Sequence, residues 1–99
     1  MDVNLQAYRC PDATSLMRRS IDLFLKDESQ SLTIQSIEPS LVRNIKGYIE
    51  SLSLALSIKS ETYTDITDED KLSWEDSFDE EDYEDVTQIT SITIIKSST

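Results

Sequence analysis

The chain contains no histidine. A Cys/His zinc site is therefore excluded, and so are a Cys–His and a Ser–His catalytic pair. Cysteine occurs once, at Cys10, which rules out an internal disulfide. A free thiol fits a reducing compartment. No apolar run comes near the roughly 20 residues that span a bilayer. No basic stretch followed by an apolar core opens the sequence, so no secretory signal is expected. These absences predict a cytoplasmic protein without membrane association. Basic residues are scarce too, with 9 Lys and Arg against 20 Asp and Glu, a net charge of −11.

That charge is unevenly spread. Residues 61 to 85 hold thirteen carboxylates and one base, Lys71, while the rest of the 99-residue chain is close to neutral. The length suits one domain with one modest core. The chain therefore reads as a near-neutral domain, 1 to 99, that carries an acidic insertion at about 64 to 86.

Hydrophobic periodicity outlines the elements. Val3, Leu5 and Ala7 alternate with polar residues, a strand-like period of two. Pro11 stands at an expected first helical position, where its missing N–H costs nothing. Leu16, Met17, Ile21, Phe24 and Leu25 then share a helical face, with Arg18, Arg19 and Asp22 off it, up to a polar loop after Lys26. Leu32 and Ile34 begin a second alternation. Glu38-Pro39-Ser40 marks a turn into a second helix through Leu41, Ile45, Tyr48, Ile49 and Leu52, interrupted by Gly47, the only glycine. A third strand runs from Leu54, Leu56 and Ile58 toward Tyr63. A β-branched stretch containing Ile89, Ile92, Ile94 and Ile95 forms the last. Two helices with one apolar face each can cover one face of a four-stranded sheet. The expected fold is an α/β two-layer βαβαββ sandwich on a mixed sheet.

Cys10 is the candidate reactive group. A thiol at the start of a helix meets unpaired backbone N–H groups and the positive end of the helix dipole, and both favour the thiolate. Arg9 adds to this, while Asp12 opposes it if its carboxylate faces the sulfur. The plainer reading of a lone cysteine is a small buried hydrophobe. Its place next to a proline at a strand-to-helix junction favours reactivity. Arg9, Arg18 and Arg19 are most simply solvated side chains, or else a set that steers an acidic partner.

The run Arg9-Cys10-Pro11-Asp12 after a short strand, with Arg18-Arg19 along the following helix, resembles the TusA/SirA-like family of small sulfur-carrier proteins. Glu38-Pro39, Arg43-Asn44-Ile45 and Gly47-Tyr48 sit at distances similar to a second signature of that family. The resemblance covers about residues 3 to 63, with 87 to 96 as the fourth strand. It implies the sandwich also seen in the C-terminal domain of translation initiation factor three. It further implies that Cys10 takes a persulfide sulfur from a donor enzyme and passes it to an acceptor protein, as a sulfurtransferase-like carrier that needs no cofactor or metal. Arg9, Pro11 and Asp12 would shape the turn. Two departures stand out: the second proline of the family motif is Ala13 here, and the connection to the last strand is far longer than a usual hairpin loop.

The acidic insertion has three readings. The simplest is a solvated, partly disordered loop, because long like-charge runs rarely pack. The second is a docking element for a basic partner, with Trp74, Phe78 and Tyr83 as anchors, or as a short helix laid on the sandwich. That reading would make the protein a non-catalytic interaction module. The third is a calcium site, although the EF-hand order is missing. Direct nucleic-acid binding is not expected, since the block repels phosphate. A monomer is expected.

Overall fold

The computed structural model describes residues 1 to 97. Eight elements follow one another: β1 (Asp2–Asn4), α1 (Asp12–Lys26), β2 (Ser31–Ser36), α2 (Leu41–Ser51), β3 (Leu56–Asp65), α3 (Asp68–Trp74), α4 (Glu80–Tyr83) and β4 (Gln88–Lys96). The strands form one mixed sheet in the order β1-β2-β4-β3. β1 runs parallel to β2, and β4 is antiparallel to both β2 and β3. This is the expected two-layer α/β arrangement, with two short helices added in the acidic segment.

The register explains the core. Leu32 pairs with Ile94 and Ile34 with Ile92, so four branched side chains point to one face. All four are fully buried there with Met17, Ile21 and Phe24 of α1 and Leu41 and Ile45 of α2. Each such side chain contributes about 2 kcal/mol through burial. The opposite face carries Thr33, Gln35, Ser91 and Thr93, and the Thr33 and Thr93 hydroxyls meet at 3.1 Å across the strands. This is the alternation of a sheet covered on one side. On α1, Leu25 is 40% exposed and lies off the core face, while Ala13 and Ser20 are buried on it. Arg18, Arg19 and Asp22 face outward as expected.

Two strands are shorter than periodicity predicts, β1 at its end and β3 at its start, each for a local reason. The Asn4 side chain accepts the Gln6 N–H at 2.8 Å, and Gln6 has φ 49°. This Asx-type turn ends β1 at Asn4. Leu5 then enters the main core, whereas Ala7 is buried in a separate cluster. Ahead of β3, the Leu54 N–H donates to Ile49 O at 2.9 Å and the Ser53 N–H to Glu50 O at 3.2 Å. Ser53, at φ 51°, is the left-handed residue of this Schellman closure of α2. Leu54 therefore belongs to the helix exit, and Leu52 is 54% exposed beyond the helix end.

The acidic segment is not a structureless loop. Thr67 and Asp70 form a capping box at the start of α3, and Asp79 and Asp82 form one at the start of α4. Three acids occupy the first turn of each helix, where the helix dipole favours negative charge. Trp74 and Tyr83 are buried with Ala7 and Ile37 in a second apolar cluster, flanked by Ile66, Phe78, Val86 and Ile89. Burial of two aromatics offsets the like-charge repulsion of the surrounding carboxylates. Among the described residues, no helix is long and apolar enough to cross a membrane.

Candidate functional site

Cys10 lies in the loop between β1 and α1, exposed to solvent. Pro11 is the N-cap of α1, one position before the first helical residue. The Cys10–Pro11 peptide is cis. The turn is closed by the Ala13 N–H donating to Arg9 O at 2.9 Å. A proline at 13 has no N–H to make that bond, so the alanine is integral to this turn.

Three polar side chains surround the sulfur. Thr14 Oγ1 lies 3.0 Å from Cys10 Sγ, Ser40 Oγ 3.5 Å and Asn44 Nδ2 3.8 Å. Asn44 also donates to Thr14 Oγ1 at 3.0 Å and to Ser40 Oγ at 3.1 Å. These bonds fix the direction of the others. Thr14 accepts from Asn44, so its own hydrogen is free for the sulfur. Ser40 gives its hydrogen to Glu38 Oε2 at 2.9 Å and presents only a lone pair to the sulfur. A thiol therefore finds an acceptor in Ser40, and a thiolate finds a donor in Thr14, while the two amide hydrogens of Asn44 go to Thr14 and Ser40.

Glu38 organises this site from beneath. Its Oε1 accepts from the Cys10 N–H at 3.1 Å and from Arg9 Nε at 3.1 Å. Its Oε2 accepts from the Ser40 N–H at 3.0 Å as well as from the Ser40 hydroxyl. Burial alone pushes this carboxyl group's pKa up. The Ser40 and Cys10 N–H groups, the Ser40 hydroxyl and Arg9 outweigh burial and hold it at about 2, against an ordinary 4.5. One ionised side chain thus ties the cysteine loop to the entry of α2.

Arg9 is committed elsewhere than to the thiol. It donates from Nη1 to Asp85 Oδ1 at 2.7 Å and to the Asp82 carbonyl at 2.9 Å, besides the bond to Glu38. The hydrogen bond to Asp85 raises its pKa further, and the same bond lowers that of Asp85. Asp12 and Thr14 are two positions apart on α1, about 200° around the helix axis. Asp12 instead lines a cavity of about 240 Å³ with Tyr8, Ser15, Leu16 and Arg19. The sequence-based roles of Arg9 as a partner of the thiolate and Asp12 as its opponent therefore find no contact in the structure. Arg18 lies 5.6 Å from the centre of the Tyr48 ring, bridging α1 to α2.

The aromatic anchors divide. Trp74 and Tyr83 are buried, with ring centroids 5.4 Å apart, and cannot serve as exposed anchors for a partner. Phe78 is half-buried and meets the exposed Tyr8 edge-on at 4.8 Å, two residues before Cys10. Among the described residues, no group of three or more acidic or cysteine side chains converges on one point.

Thr14, Ser40, Asn44 and Glu38 were not singled out as site residues from the sequence. Glu38-Pro39 and Asn44 did lie in segments with a recognisable pattern, and that was the available signal. Comparison with family models, curated proteins and solved structures returns no match, so function has to be read from this geometry.

Proposed function

We propose that the protein carries sulfane sulfur on Cys10, taking it from the persulfide of a donor enzyme and handing it to an acceptor protein. The observation behind this reading is the exposed Cys10 sulfur set against the Thr14 hydroxyl and the Asn44 amide, on a turn pinned by Glu38. The resemblance of the Arg9-Cys10-Pro11-Asp12 run to the TusA/SirA-like carriers points the same way.

In the loading step the Cys10 thiolate attacks the terminal sulfur of the donor's persulfide. A new S–S bond forms on Cys10, the donor's S–S bond breaks, and the donor thiolate leaves. No net oxidation takes place, and no cofactor is consumed. The Thr14 hydroxyl, held by the Asn44 amide, donates to the attacking Cys10 sulfur. Exposure of the thiol lets a large protein donor reach it.

Incubation with a cysteine desulfurase and isotopically labelled cysteine tests the reading. A reductant-sensitive adduct of one labelled sulfur, missing in Cys10→Ser, is the expected result. Failure to form it in a mixture that loads a known carrier overturns the proposal.

A further inference from the structure

We infer that the cleft between α3 and α4 is a docking groove for a cationic amphipathic segment of a partner protein. The cleft encloses about 560 Å³, and its accessible apolar surface comes from Leu72 and Phe78, with the buried Tyr83 also in its lining. Leu72 is 66% exposed, the most open large apolar side chain among the described residues. Around this strip stand Asp68, Glu75, Asp79 and Glu80, with Lys71 the one base. Among the described residues, none of those four carboxylates forms an ion pair.

Apolar floor and anionic rim together select the occupant. An apolar side chain over Leu72 and Phe78 removes exposed hydrocarbon from water. Flanking lysines or arginines meet the rim carboxylates and speed encounter. The same rim repels the phosphates of nucleic acid and of anionic lipid surfaces. The occupant is therefore a polypeptide that carries alternating basic and apolar faces. Phe78 also supports Tyr8, so a segment seated in the groove lies beside the loop that leads to Cys10. The inference does not rest on sulfur chemistry, because binding here uses no group of the cysteine turn.

The test uses two fluorescein-labelled synthetic peptides of equal charge. One is a helix-forming Lys/Leu peptide with leucines at i, i+3 and i+4 spacing, and the other has serine at every leucine position. Fluorescence anisotropy at low salt is read with the full chain and with Leu72→Ser, Leu23→Ser and Cys10→Ser. Leu23, on α1, is 54% exposed and remote from the groove residues in sequence, so its replacement controls for loss of any surface leucine. The expected result is saturable binding of the Lys/Leu peptide, weakened about tenfold by Leu72→Ser and unchanged by the other two substitutions. Equal binding of the two peptides overturns the inference, as does equal loss in Leu72→Ser and Leu23→Ser, or no saturable binding at all. Intact peptide binding in Cys10→Ser keeps this outcome separate from the fate of the sulfur-carrier proposal.

Discussion

Replacing Glu38 by glutamine removes the charge under the cysteine turn while keeping the side chain's size. The carboxylate accepts four hydrogen bonds, two on each oxygen. Glutamine keeps one acceptor oxygen and turns an NH₂ group toward the other two donors. With hydrogen bonds to a charged group worth roughly 1.5–3 kcal/mol each, the loss comes to about 3 kcal/mol. Linkage gives a similar figure. The folded carboxyl group titrates at about 2 instead of 4.5, a gap that converts to roughly 3 kcal/mol. Because the folded value is the lower one, this stability is fully present above 4.5 and is lost as pH falls through about 2. Urea unfolding of both proteins between neutral pH and about pH 2 reads the effect. The stability gap between wild type and Glu38→Gln should be flat above 4.5 and should narrow steadily below it. A gap under about 1 kcal/mol at neutral pH, or one that does not narrow in acid, refutes the assignment of Glu38 as the tie between the two loops.

Ser53→Gly should stabilise the fold by about 1 kcal/mol, read as a higher urea midpoint, since Ser53 holds the left-handed position that glycine occupies without strain. Gly47→Ala should also stabilise, by roughly 0.5–1 kcal/mol, because a Cβ there meets nothing within 4 Å and the residue lies inside α2. Trp74 is the single tryptophan, so its fluorescence reports on the acidic segment alone. Its emission should be blue-shifted and poorly quenched by acrylamide, and Trp74→Ala should cost about 3 kcal/mol in urea unfolding, whereas the emission of a fully solvated indole contradicts the packing of α3. Thr14→Val should slow uptake of labelled sulfur by Cys10 roughly fivefold, in keeping with loss of the one hydroxyl donor to the sulfur.

Periodicity located both long helices and all four strands, because one apolar face repeated along each of them. It overran at Leu5 and Leu54, where a single side-chain hydrogen bond and a left-handed serine end the elements. The acidic segment misled through its net charge. Thr67 to Asp70 and Asp79 to Asp82 are capping pairs readable at fixed spacing, and each precedes an aromatic residue. The surfaces that bury those aromatics, Ala7 and Ile37, lie far away in sequence and leave no local trace. The site divides similarly. Cys10 stood out by its uniqueness and its proline neighbour. Glu38, Ser40 and Asn44 reach it from some 30 residues away, and only the packing of α2 beside α1 brings them there.

The most direct measurement of the central claim is the mass of the peptide containing Cys10 after the full chain has been exposed to a cysteine desulfurase and cysteine. One added sulfur is expected on that peptide; a thiol reductant releases it as sulfide from one sample, and in a second, unreduced sample a protein thiol takes it directly from the Cys10 persulfide as the Cys10 thiolate leaves. An unmodified Cys10 peptide, recovered beside a loaded control carrier from the same mixture, contradicts it.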